Sequence, residues 1–443
     1  MRNFSILCLL FFLPNLCFGI KEFRSGAANI SVDKTPFLKA VINEKNKIIL
    51  ITRPHSWGGT YNLVQIENFF MPVLDKECRE NTALKEIKRQ KIENMSIGIE
   101  REVLDQYHGN YPTILLSFRT NKASNIESFK LSIAYKIQKL FKKHLYLAQS
   151  TKLSFKDKQE FNRYMNRHSA LTDEDLKNSV RFLSDMLNKH FDMPVIILFN
   201  KYDDYMKAYS MELISHNAPV VSSDFSKEGS RLIGGIIFRA LDKNPHLLRS
   251  LIFGTTKVRD MEFFKIKNIV EDSILEPRFG DYFGFTNKEL DLLLDEYKVK
   301  NLNQDTLARI KRYYGGYSLN GMAIYNPAGI MRMLGKYKAL HRIDFTHIRY
   351  ISLALDLSSK KRRNIFEKLI NGGRLNVEID PNISYIDTNS SIDNLCSILA
   401  FEGFLAISKA EKLPNGKYRS VVKIPNEEMR LRFKSLLKHF PSK

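Results

Sequence analysis

Four short apolar runs, separated by longer stretches of helical periodicity, set the plan of this chain. They are Ile48-Ile49-Leu50-Ile51, Pro112 to Phe118, Val195-Ile196-Ile197-Leu198-Phe199 and Ser250 to Thr256. Continuous apolar runs of this length predict strands buried on both faces, and the helical stretches between them predict a parallel sheet. Phe37, Leu38, Val41 and Ile42 predict a short helix before the first run, and Leu63, Ile66, Phe69 and Phe70 one directly after it. Residues 75–110 are charged and helical in character. Residues 125–190 read as a long basic helical region interrupted near Ser169 to Asp173.

The last third has a different texture. Phe283-Gly284-Phe285-Thr286 predicts a capped helix start at Asn287. Tyr313-Tyr314-Gly315-Gly316-Tyr317 reads as an aromatic turn, and Tyr325-Asn326-Pro327 opens another helix, with proline in a tolerated first-turn position. A helix and hairpin are expected over Leu395–Ile424, turning at Leu413-Pro414-Asn415-Gly416-Lys417. The fold class is therefore α/β: a parallel sheet with helices on both faces, then a mainly helical lid and a C-terminal α+β segment.

The amino end reads as a secretory signal. Arg2 supplies a positive start, Phe4 to Leu13 an apolar run, Pro14 a break and Gly19 a small residue behind it. The run is shorter than the ~20 residues that a spanning helix needs. The expected organisation is 1–19 as signal peptide, 20–285 as the sheet-bearing domain, and 286–443 as lid and C-terminal segment. Cleavage after Gly19 would leave a secreted chain beginning near Ile20, with no integral membrane segment.

Composition narrows the classes further. Hydrophobic residues make up 44% of the chain, too many for a disordered protein. Cys8 and Cys17 lie in the leader, so Cys78 and Cys396 are left, either as one long-range bridge or as two free thiols. The formal charge of +21 favours polyanions: nucleic acid, acidic membrane surfaces or acidic proteins. The clusters Lys85 to Lys91 and Lys360-Lys361-Arg362-Arg363 read as solvated helix faces, the second also fitting a nuclear-localisation signal. His144, His168, His190, His216 and His246 have no partners at zinc spacing, and Ser56 and Thr60 have no nucleophile arrangement. The sequons at Asn29, Asn94, Asn382 and Asn389 would matter only in a eukaryotic secretory pathway. No catalytic residue and no metal site are assigned.

The chemistry concentrates after the first run. Arg53-Pro54-His55-Ser56-Trp57-Gly58-Gly59-Thr60 joins a strand to a helix, the arrangement in which loop N–H groups cradle phosphate and a lysine reaches its oxygens. Gly59 stands where that lysine belongs. The third run ends in Asn200-Lys201, where such folds place two acids to hold magnesium and position water.

The order of short motifs resembles the predicted AAA-ATPase-like family of P-loop NTPases. The motifs are Val32-Asp33-Lys34-Thr35, Arg53-Pro54, the Gly58-Gly59-Thr60 loop, Asn200-Lys201-Tyr202-Asp203, Phe283-Gly284-Phe285-Thr286, Tyr314-Gly315-Gly316-Tyr317, Tyr325-Asn326-Pro327 and Ile424-Pro425-Asn426-Glu427-Glu428. The resemblance implies an AAA-like sheet and a nucleotide site at Gly58, Gly59, Thr60, Asn200, Lys201, Asp203 and the sensor-like Thr255. Family members commonly carry a C-terminal nuclease of the PD-(D/E)XK type, for which the 18 residues after Pro425 are too few. Against the family pattern, the loop lysine is Gly59 and the strand-end acids are Asn200 and Lys201. The expectation is a secreted, degenerate protein that acts by binding an unidentified protein or host target, without a cofactor. The alternative is a weakly active or nucleotide-binding ATPase that acts with nucleic acid. In that case ATP and magnesium would bind, Lys201 supplying the missing cation and Asp203 or Asp204 the metal ligand.

Overall fold

A computed structural model describes residues 32–75, 79–119, 125–166, 170–206, 223–258, 261–299, 303–335, 360–383 and 391–439. The signal segment and Cys78 lie outside them.

The four apolar runs form β1 (Ile48–Thr52), β2 (Thr113–Ser117), β3 (Val195–Asn200) and β4 (Leu247–Gly254). A fifth strand, β5 (Ile269–Asp272), joins them in one sheet of order β2-β3-β4-β1-β5. Every pairing in this sheet is parallel. Successive residues point to opposite faces, so the runs divide between two cores. Ile48, Leu50, Ile197 and Phe199 join one cluster with Phe129, Val180 and Ile236. Ile49, Ile51, Ile196 and Leu198 join the other with Phe37, Leu63 and Ile66. Burial on both faces explains why these strands are apolar throughout instead of alternating.

Helices follow where the periodicity changes to 3.6. Helix Pro36–Asn43 precedes β1, and helix Gly59–Phe70 follows it directly. The basic region resolves into helices Ile126–Lys143, Phe155–Met165 and Asp173–Phe191, each started by a reciprocal capping box (Asn125/Ser128, Ser154/Asp157 and Thr172/Asp175).

Beyond β5 the chain is less purely helical than its sequence suggests. Helix Asn287–Glu296 starts at Thr286 with a Thr286/Glu289 capping box, and helix Pro327–Met333 starts at Asn326, both as expected. Between them, helix Gln304–Tyr314 ends in the expected aromatic turn at Gly315 and Gly316, which leads into a hairpin of β6 (Tyr317–Leu319) and β7 (Met322–Ile324) that the sequence had not suggested. Three further strands, β8 (Leu375–Ile379), β9 (Ala406–Lys412) and β10 (Tyr418–Lys423), form an antiparallel sheet of order β8-β10-β9. The β9–β10 hairpin turns over residues 413–417, as the Pro-Asn-Gly sequence dictates. Phe366, Leu395 and Phe433 extend the first core into this part of the chain. Cys396 is a free, buried thiol whose pKa is pushed up to about 12 by burial.

Candidate functional site

In sheets of this kind ligands bind outside the carboxyl ends of the strands, at the point where the connections diverge. Here that point is β1: the chain leaves it toward β2 at one edge, and later passes from β4 across it to β5. The loop 53–58 lies there.

Each end of the loop is anchored by a contact distant in sequence. Arg53 is fully buried and pairs with Asp272 at the end of β5, at 2.6 Å. Its other amino group donates to the carbonyls of Thr52 and Asp272, and its guanidinium lies 5.0 Å over the Phe283 ring. Burial lowers the Arg53 pKa and raises that of Asp272, each opposed by the attraction of the other. Arg53 is thus spent on structure. Trp57 is 2% exposed and meets the Tyr317 ring edge-on at 5.1 Å. The Tyr317 hydroxyl donates to the Gly403 carbonyl at 2.6 Å, and the Gly284 N–H donates to the Trp57 carbonyl at 2.9 Å. Segments from the last third therefore close over the loop.

Gly58 caps the following helix with φ of +93°, a left-handed conformation that favours glycine. Gly59 is the first helical residue, and the space beside it is filled. A Cβ at position 59 would lie 1.9 Å from the Phe253 ring. Phe253 comes from β4, is 8% exposed and stacks on Phe283 with centroids 5.7 Å apart. The aromatic ring thus occupies the place from which a lysine side chain would leave the helix.

The residues at the end of β3 are held by contacts of their own. Asn200 ends β3 and is 3% exposed; its amide nitrogen donates to the Thr60 hydroxyl at 3.1 Å, and its Oδ1 has no partner among the described residues. Turning the amide over would only exchange which atom meets Thr60 and which is left. Lys201 turns the chain with φ of +56°, its N–H donating to the Phe253 carbonyl at 2.7 Å. Asp203 is buried, and one of its oxygens accepts from the N–H groups of Thr255 (2.9 Å) and Thr256 (2.8 Å) and from the Thr256 hydroxyl (3.1 Å). It braces the end of β4.

The remaining motifs meet around the same centre. Lys34 is buried and pairs with Glu289 at 2.7 Å while donating to the Asp281 carbonyl; burial lowers its pKa, opposed by Glu289. Asp33 accepts from Thr35 and from the Ser96 N–H. Gly316 has φ of +86°, and a Cβ there would lie 1.8 Å from the Pro425 carbonyl oxygen. Only glycine lets those two segments touch. Asn426 then donates to the Gly315 carbonyl, and Glu428 pairs with Arg332 and Arg432. Beside Gly58, Trp57, Tyr61 and Phe285 bound a cavity of about 30 Å³, room for a water.

Of the seven sequence-predicted site residues, Gly58, Gly59 and Thr60 open one helix, and Asn200 reaches Thr60 directly. Lys201, Asp203 and Thr255 lie where β3 and β4 end. Sequence reasoning missed Phe253, Asp272 and the covering role of Trp57. His55 lies at the surface beside Ser56, whose hydroxyl contacts its Nδ1 at 2.7 Å. Among the described residues no group of three or more His, Cys, Asp or Glu converges to hold a metal.

A family model described as predicted AAA-ATPase matches residues 18–264, more than half of the chain. The chain belongs to the AAA-ATPase-like family. A curated relative, the "Uncharacterized protein in vnfD 5'region" of Azotobacter chroococcum mcd 1, is 22% identical over 142 residues. That match covers 32% of this chain and 25% of the relative, so the chain spans about a quarter of the relative it matches. Membership of the AAA-ATPase-like family agrees with the parallel sheet and the position of the loop after β1.

Proposed function

We propose that this AAA-ATPase-like chain is a secreted, catalytically degenerate member that acts by binding a protein target and does not turn over ATP. The observation that carries the reading is Phe253, whose ring fills the place of a residue-59 side chain. A phosphate loop needs a cation there to reach the β- and γ-phosphates. Glycine supplies no charge, and the ring leaves no space for one. Losing one preorganised donor of this kind typically costs about 10²–10³ in rate. Asn200 is a neutral replacement for a metal-holding acid and already meets the Thr60 hydroxyl, while Asp203 is committed to backbone N–H groups. These residues do not fit a magnesium–triphosphate group. Secretion is supported by the charge and apolar pattern of residues 1–19.

The test is calorimetry of ATP with and without magnesium, on the full chain and on two restored variants. The unmodified protein is expected to show no magnesium-dependent binding. Gly59→Lys with Asn200→Asp and Lys201→Glu is expected to fold less stably, by ~1–3 kcal/mol of overpacking against Phe253, and still not to bind. Adding Phe253→Ala to those three should recover stability and magnesium-dependent affinity together. Magnesium-dependent turnover by the unmodified protein would refute the reading.

A further inference from the structure

The helix pair Ile126–Lys143 and Phe155–Met165 carries exposed apolar side chains among lysines. The two helices are held together by Phe141, which stacks on Tyr164 at 4.5 Å and meets Phe161 at 5.3 Å. The first helix buries Phe129, Ile133, Ile137, Leu140 and Phe141. Its opposite face presents Leu131, Tyr135, Lys139 and Lys142, at spacings that align them in one stripe. Leu131 is 71% exposed and Tyr135 53%; Leu145, just past the helix, is 51% exposed, and Phe155, which opens the second helix, 83%.

Charge is concentrated in the same place. Residues 125–166 contain nine Lys and Arg and three Asp and Glu, a net +6 of the chain's +21. Two of those acids are engaged, Asp157 by Lys189 and Glu160 by Arg163, so they do little to offset the exposed lysines at 139, 142, 152 and 156. The third, Glu127, lies in the first turn, one turn before Leu131.

We propose that this helix pair docks on an anionic phospholipid surface. Exposed leucine and aromatic side chains enter the headgroup boundary while interspersed lysines meet lipid phosphates, the pairing that interfacial helices use. Nucleic acid is the poorer fit, because leucine has no π face on which a base can stack and the exposed cations are lysines, which lack the fork of arginine. No helix among the described residues is long and apolar enough to cross a membrane, so the contact is peripheral. This surface is independent of the loop after β1.

Co-sedimentation of the full chain with vesicles of phosphatidylcholine alone, or of phosphatidylcholine with phosphatidylserine, tests the proposal. Binding should require phosphatidylserine and weaken as salt is raised. Lys139→Glu with Lys142→Glu should reduce it at least about tenfold, and so should Leu131→Ser with Phe155→Ser, with unchanged thermal melts in both. Absence of binding, equal binding to neutral vesicles, or indifference to either variant would overturn it. So would tight binding of a single-stranded oligonucleotide that the lysine variant loses and the apolar variant keeps, since that pattern marks a nucleic-acid surface.

Discussion

The crevice above β1 and the helix pair beyond β2 invert the usual distribution of side chains. A crevice at the strand ends is where a sheet of this order has room for a ligand, yet Phe253, Phe283, Trp57 and Tyr317 pack it with rings. A helix face turned to solvent is where polar residues belong, yet Leu131, Tyr135 and Phe155 stand on it among lysines. Apolar side chains in the crevice contribute stability by leaving water, at about 25 cal/mol per Å². Leu131 and Phe155, at 71% and 83% exposed, leave little surface out of water on folding, and the proposed lipid contact would cover them. In the proposed function and the proposed lipid contact, the crevice serves as a brace and binding lies on the outer surface.

Changes in the two regions should therefore separate cleanly. The largest effect is expected from Asp272→Ala, which leaves the Arg53 guanidinium buried without its carboxylate. Breaking a buried pair by removing one partner costs about 3–5 kcal/mol, read as a lower urea midpoint, with vesicle binding by the folded protein unchanged. A loss below about 1 kcal/mol would mean that the pair is not what holds the loop.

Acid is the next lever. Burial holds His144 at about 3 and His108 at about 4, against an ordinary value near 6.5. Below pH 6.5 the unfolded chain protonates these imidazoles while the folded chain does not. Their contribution to stability is thus complete above pH 6.5 and falls as pH drops toward their folded values. The pair should lose about 3 kcal/mol by pH 5.5, measured as a falling midpoint of thermal unfolding. His144→Phe should flatten that fall, because His144 is fully buried with one ring nitrogen unpartnered among the described residues.

A milder probe of the crevice is Tyr317→Phe, which removes the hydroxyl that donates to Gly403 and also meets Asn426. It should cost about 1 kcal/mol in urea unfolding and leave the Trp57 contact in place. Smallest of all, Leu131→Ser with Phe155→Ser should shift stability by no more than about 0.5 kcal/mol, since neither side chain is buried. A large loss from that variant would show the exposed face to be part of the core and erase the contrast.

Much of this was legible in the sequence, for reasons that also explain the misses. The strands β1 to β4 could be read because burial on both faces makes them continuous apolar runs. β5 could not: it is an edge strand paired only to β1, and Glu271 is exposed between Val270 and Asp272. The hairpin of β6 and β7 has three residues to a strand, too few to establish alternation. At the site, Gly59 in the loop and Asn200-Lys201 at the end of β3 could be read directly, as could the helix opening at Gly59. The intrusion of Phe253 could not, because a phenylalanine in a buried strand looks like ordinary core until its neighbour across the fold is known. Asp203 has the same difficulty: an acid after a strand reads as a metal ligand, and only the turn of β4 shows its oxygen facing backbone N–H groups.

The pairing of Lys34 with Glu289 and of Arg53 with Asp272 bears on where this protein can be cut. Their partners lie 255 and 219 residues downstream. The family match ends at residue 264, before β5 begins. A fragment with those limits would carry two cations without the carboxylates that pair with them, and a β1 edge with no neighbour. One ending at residue 285, a boundary that composition alone suggests, would regain Asp272 but still lack Glu289. On a ribosome, too, the amino-terminal half must wait for residue 289 before its charges are neutralised. The span matched by the family model is therefore shorter than the span that completes these pairs, and expression should be built around the longer one.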